Sequence, residues 1–105
     1  MAIANVSLGT TETIIKTAGG SESIAVLSLV FCNTDTSDRT ITVYAYPTGS
    51  VAAVTTMMVQ ALNIPAGDTF IWSGDEKIIL QNSDKLTALA SASGVVTATA
   101  NYYTL

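Results

Sequence analysis

Histidine is absent from the 105 residues, cysteine occurs once and proline twice. Without histidine, the commonest general acid/base and a principal metal ligand are missing. A lone Cys32 leaves no intrachain disulfide and no cysteine-built zinc site. Charge is scarce as well: Asp, Glu, Lys and Arg make up 11% of the chain, against roughly 25% in an average soluble protein. The four cations, Lys16, Arg39, Lys77 and Lys85, are scattered through a chain of net charge −4. No basic stripe is present to displace counterions from a phosphate backbone, and no polybasic patch to hold an anionic membrane. No run approaches the roughly 18 apolar residues of a membrane span, and the first five residues lack the charged and then apolar pattern of a secretion leader. The sequon Asn5-Val6-Ser7 is then a chance match. These absences predict a non-enzymatic, soluble chain made in the cytoplasm, with no cofactor, no nucleic-acid partner and no membrane partner.

What fills the chain instead is Thr, Ser, Ala and Val, with sixteen threonines. Short alternating runs are cut by Gly, Asn, Asp and Pro, the pattern of β-strands and turns. Strands are expected over 2–8, 11–17, 23–32, 39–46, 56–64, 69–73, 77–81, 86–92 and 95–104. Turns are expected at 18–21, 47–50, 65–68, 73–75 and 82–84. Segment 23–32 has Ile24, Val26, Ser28, Val30 and Cys32 on one face and Ala25, Leu27, Leu29 and Phe31 on the other, so it reads as a strand buried on both sides. Its β-branched content argues against a helix. With 39–46 it is expected to form a hairpin around the loop 33–38. Eight or nine short, mainly antiparallel strands indicate an all-β protein, a β-sandwich with a small β-barrel as the alternative. The length suits a single domain, with 21–105 as the sandwich and 1–20 as an N-terminal strand or an arm adding a strand to a neighbour. The expected interior is Ile24, Val26, Leu29, Phe31, Ile41 and Val43, with Ile64, Phe70, Trp72, Ile79, Leu80, Leu86, Leu89, Val96 and Tyr102 from the later strands. Cys32 is expected as a buried small hydrophobe.

Few residues invite chemistry. The loop 33–38, Asn-Thr-Asp-Thr-Ser-Asp, spaces oxygens as a calcium loop does. Asp38 stands where the sharp-turn glycine belongs and Tyr44 where the bidentate glutamate belongs, so Asx and Ser/Thr turns account for it. Asp75 and Glu76, and the pair Asp68 and Asp84, fall in or beside expected turns, where solvated acids are ordinary, and a Ser83–Lys85 dyad has no flanking signature. Gly19-Gly20-Ser21 lacks a phosphate-loop lysine. The aromatics are more informative. Tyr44 and Tyr46 share a face with Thr40 and Thr42, opposite Ile41 and Val43, so both tyrosines are candidate interface residues, partly exposed. Met57 and Met58 are candidates for an adaptable contact surface, with core filling as the other reading.

Taken in order, Leu29-Val30-Phe31-Cys32-Asn33, Thr42-Val43-Tyr44, Ile64-Pro65-Ala66-Gly67-Asp68-Thr69 and the run from Ile79-Leu80-Gln81-Asn82 through Ser83-Asp84-Lys85 to Leu86-Thr87-Ala88 resemble small virion structural proteins of tailed bacteriophages, from Ser21 onward. The resemblance implies a β-sandwich module that acts by binding, located in the virion, with other capsid or tail subunits as partners and self-association into a homo-oligomer. It implies no catalytic residues. The leading expectation is a capsid decoration or cement protein on the major capsid shell. The alternatives are a neck, tail, baseplate or fibre component and, from another class, a carbohydrate-binding module using Tyr44, Tyr46 or Trp72.

Overall fold

The computed structural model describes residues 2–105, apart from the side chains of Gly74, Asp75 and Glu76. Eight strands form: β1 (Ala2–Ser7), β2 (Thr13–Thr17), β3 (Ser23–Asn33), β4 (Arg39–Tyr46), β5 (Met57–Ile64), β6 (Thr69–Gln81), β7 (Lys85–Ala90) and β8 (Val96–Thr104). A 3-10 turn, Val54–Thr56, precedes β5. Among the described residues no helix is long and apolar enough to cross a membrane.

The strands make two four-stranded antiparallel sheets, ordered β1-β8-β3-β6 and β2-β7-β4-β5. The first strand pairs with the last, the second with the second to last, the third with the sixth and the fourth with the fifth. This nesting wraps one long hairpin, closed between β4 and β5, into a jelly roll. The sheets do not join into one, so the molecule is a sandwich and not a barrel. The first twenty residues contribute β1 and β2, an edge strand of each sheet.

Three expectations about pairing are corrected. The hairpin tip at 73–75 does not form: Phe70 and Trp72 pair with Phe31 and Leu29, while Ile78 and Leu80 pair with Val26 and Ile24. Both halves of β6 therefore run in line along β3, and turn-like composition is absorbed by a register step between them. The hairpin of β3 with β4 does not form either, because β8 and β6 already occupy the two edges of β3 and β4 lies in the other sheet. Nor is β3 buried on both faces. Its register steps between Val26 and Ser28 against both neighbours. The step reverses the alternation at Leu27, so Ile24 and Val26 before it and Leu29, Phe31 and Asn33 after it all point into one core.

That core also takes Leu8, Ile15, Ile41, Val43, Ile64, Leu80, Leu86 and Val96, and Phe31 stacks on Phe70 with ring centroids 6.2 Å apart. Ala88, Ala90, Ala98 and Ala100 are buried completely or nearly so, and such small residues let sheet layers close around larger neighbours. Ile79 is the misplaced core candidate: it lies next to inward Leu80 and is 47% exposed, as the two-residue period of a strand requires. Phe70, Trp72, Leu89 and Tyr102 are half-buried. Cys32 is half-buried as well and free, next to inward-facing Phe31 and Asn33 and thus on the outer face.

Asn33 is the buried polar residue that ties the loops at one end together. Its Nδ2 donates to the carbonyls of Ile64 (2.9 Å), Ser37 (3.0 Å) and Pro65 (3.3 Å), and its Oδ1 accepts from the Asp35 amide (3.0 Å). Asn33→Ala strands these buried groups and is expected to cost about 3 kcal/mol, whereas Thr34→Ala, at an exposed hydroxyl, costs below about 1 kcal/mol. Urea unfolding of the two variants measures the difference, and equal losses would contradict the clamp.

The β6–β7 turn has Asn82 at φ 50° and Ser83 at φ 73°, closed by the Asp84 amide donating to the Gln81 carbonyl at 3.1 Å. Two successive left-handed residues make a type I′ turn, which asparagine tolerates and serine does not favour. Ser83→Gly is therefore expected to stabilise the domain by about 0.5 to 1 kcal/mol despite the added freedom of the unfolded chain. A lowered melting temperature would contradict this reading of the turn.

Candidate interaction site

Tyr44 is the residue around which a surface assembles. On β4 its register partners are Met57 of β5 and Thr87 of β7, so the aromatic ring and a thioether lie directly across from one another at the end of the second sheet. The register of β5 shifts at this point, from Val43↔Val59 to Tyr44↔Met57. The shift leaves Met58 unpaired and 38% exposed. Just before β5, the 3-10 turn carries Val54, 83% exposed, and Val51 precedes it, also exposed. The turn is braced: the Ala53 amide donates to Thr56 Oγ1 at 2.9 Å, and that hydroxyl lies 3.0 Å from the Val51 carbonyl. Tyr44 and Met57 are thus paired across the strands, with exposed Met58 next to Met57 in the chain and exposed Val54 on the braced turn before it. Spacing alone gave no reason to join Tyr44 to Met57, since the strand register sets that contact.

Tyr46 does not belong to this exposed surface. It is only 9% exposed, and its hydroxyl donates to Glu12, which also accepts from the Thr87 hydroxyl at 2.7 Å. Thr87 is fully buried beneath them. The expectation of two partly exposed tyrosines holds for half-buried Tyr44 and is corrected for Tyr46. Glu12, on the strap between β1 and β2, covers the sheet and takes up its polar end. No periodicity signalled this contact, because the partners are 34 and 75 residues from Glu12. The Tyr46 hydroxyl, then the Thr87 hydroxyl and the charge of Lys85, hold the Glu12 carboxyl below its ordinary range against a desolvation effect of opposite sign. The same bond pushes the Tyr46 phenol upward.

The other candidates are spent on structure or kept apart. In the loop 33–38, Asp35 pairs with Arg39 at 2.6 Å and accepts from the Thr36 amide at 2.7 Å. Arg39, followed by the backbone bond, keeps the Asp35 carboxyl below its usual range. Asp38 caps the Ala66 amide at 3.0 Å. Among the described residues no group of three or more His, Cys, Asp or Glu is placed to hold a metal. Asp68 and Asp84 lie beyond opposite ends of β6, where each accepts turn amides, Asp68 from Thr69 and Asp84 from Thr48 and Gln81. Asp75 and Glu76 lie outside the described side chains. Ser83 and Lys85 line a cavity of about 160 Å³ beside Tyr46, and a second cavity of about 210 Å³ lies on its other side. Both are below the roughly 300 to 1,000 Å³ of small-molecule sites. Trp72 faces the core opposite Leu29, so Tyr44, Tyr46 and Trp72 offer no shared stacking platform.

Compared with protein-family models, with curated proteins and with solved structures, the chain matches none.

Because the folded pKa of Glu12 is lowered, its bonds stabilise the fold above the unfolded value of 4.5 and are lost as pH falls through the lower folded value. Tyr46→Phe is expected to cost about 1 kcal/mol at pH 7, a figure already reduced for the exposure of Glu12. That difference from the unsubstituted chain should close as pH is taken below 4.5. Denaturant midpoints measured across this range check it; a gap independent of pH would contradict the assignment.

Proposed function

We propose that the chain is a non-enzymatic structural protein of a tailed-bacteriophage virion, a decoration or cement subunit that binds the major capsid shell. The observation that carries the reading is the Tyr44–Met57 pair, flanked by Met58 and Val54 on a braced backbone. Aromatic side chains and methionine are enriched at the cores of protein interfaces, where charged residues are depleted. A chain with 11% charged residues suits contact with neighbours over much of its surface. The nested eight-strand jelly roll supports the reading by analogy, since that architecture recurs in viral capsid and lectin domains. A cement subunit works without chemistry: a rigid sandwich presents loops and sheet faces to repeated shell contacts, and its small anchors set the affinity.

Replacing Tyr44 and Met57 together by serine is expected to weaken binding to particles assembled without this chain by about 2 kcal/mol, roughly thirty-fold in Kd. The isolated domain should lose less than about 1 kcal/mol of stability, because neither side chain belongs to the core. Tyr46 is left intact in this test because its bond to Glu12 is structural. Full occupancy by the double variant contradicts the proposed surface. Binding of the isolated domain to glycans, lost with Tyr44, would favour a carbohydrate-binding module instead.

A further inference from the structure

Five asparagines occur in the chain, and the residue after each one governs how readily its side chain can be attacked by the backbone that follows. Asn5, Asn33, Asn63 and Asn101 precede Val6, Thr34, Ile64 and Tyr102, whose β-branched or aromatic side chains crowd the next amide. Asn82 precedes Ser83, the smallest of these neighbours. Three of the other four carboxamides are also held in place: Asn33 by the loop carbonyls, Asn5 on Thr99 Oγ1 at 3.0 Å and Asn101 on Ser28 Oγ at 2.7 Å. Asn63 is followed by buried Ile64, which is paired in register with Arg39. Asn82 is exposed in the β6–β7 turn. Among the described residues only its backbone is bonded, the amide to the Glu22 carbonyl at 3.2 Å and the carbonyl to the Thr48 hydroxyl. The Ser83 amide has no partner among the described residues.

We propose that Asn82 is a site of spontaneous deamidation, through which the chain modifies its own turn. The Ser83 backbone nitrogen gives up its proton and attacks the Asn82 side-chain carbonyl carbon. A bond from that nitrogen to Cγ forms, the bond from Cγ to the amide nitrogen breaks, and the amide group leaves with the proton as ammonia. The product is a succinimide ring spanning residues 82 and 83. Water then opens the ring at either carbonyl, giving aspartate or isoaspartate, in which the main chain runs through the β-carbon. Attack requires the Asn82–Ser83 peptide to rotate out of its turn geometry. Ser83 at φ 73° occupies left-handed backbone that serine disfavours, so leaving it costs less than leaving a relaxed turn. Either product places one more negative charge beside Asp84, and isoaspartate also lengthens a two-residue turn. That turn is closed by the Asp84 amide donating to the Gln81 carbonyl at 3.1 Å, and it anchors the loop 47–50. Asp84 accepts from the Thr48 amide at 3.1 Å, and the Asn82 carbonyl accepts from the Thr48 hydroxyl. An extra main-chain atom shifts both anchors, so one modification loosens two turns. This inference does not rest on the virion reading.

Peptide mapping by mass spectrometry tests it on the whole folded chain, fresh and after weeks of warm incubation at neutral and at mildly alkaline pH. Asn82 is expected to convert at least about ten-fold faster than any of the other four asparagines. The rate should rise with pH, since the attacking amide must shed its proton, and both aspartate and isoaspartate should appear at position 82. The aged chain should melt at a lower temperature than the fresh one. Asn82→Gly removes the carboxamide and keeps a residue suited to left-handed backbone, so it should age without that loss. Conversion at Asn82 no faster than elsewhere, a rate indifferent to pH or aspartate without isoaspartate would overturn the proposal. So would an aged chain as stable as the fresh one, or an equal loss of melting temperature in Asn82→Gly.

Discussion

The reversal of alternation at Leu27 is the constraint on which the sandwich depends. β3 is a central strand of the first sheet, with a long register to β8 on one side and to β6 on the other. A strand of strict two-residue period would send Ile24 and Val26 inward only by sending Leu29 and Phe31 out, each a loss of roughly 1.5 to 3 kcal/mol of burial. The step brings all four to one core. It also directs Ser28, Val30 and Cys32 to the outer face of the sheet. Core and surface of this sheet are set by the same local irregularity.

The edges of the sandwich follow a related logic. β5 borders the second sheet and is irregular twice, at Met57/Val59 and again where Ala61 adopts φ 45° and its amide donates to the Thr42 hydroxyl at 3.1 Å. β6 borders the first sheet and carries its own step. Interrupted edges resist uncontrolled strand addition from other chains.

Much of the architecture is written in alternation and turn chemistry. β4 spans the residues its pattern indicates, and the turns at 47–50 and 65–68 close with Gly49 and Gly67 in the left-handed region. The irregularities are harder to read. A register step inside β3 has the same signature as a strand apolar on both faces, and Ser73-Gly74-Asp75 has hairpin composition although the flanking halves of β6 continue along one partner. Pairing across distance is the other hidden term. Nothing local to Tyr46 reveals that Glu12 and Thr87 will cover it, and nothing near Tyr44 reveals that Met57 will stand opposite. The candidate tyrosines were accordingly visible as a pair in sequence but separate in role once the register is fixed.

The central claim is that this sandwich works by binding a capsid shell in many copies. Quantitative mass spectrometry of purified particles carrying the chain, scaled to the major capsid protein and combined with its position in a particle reconstruction, tests that claim most directly. The account predicts a stoichiometry comparable to that of the shell subunit, with density on the capsid surface. A few copies confined to the neck, tail or fibres, or no copies at all, would contradict it.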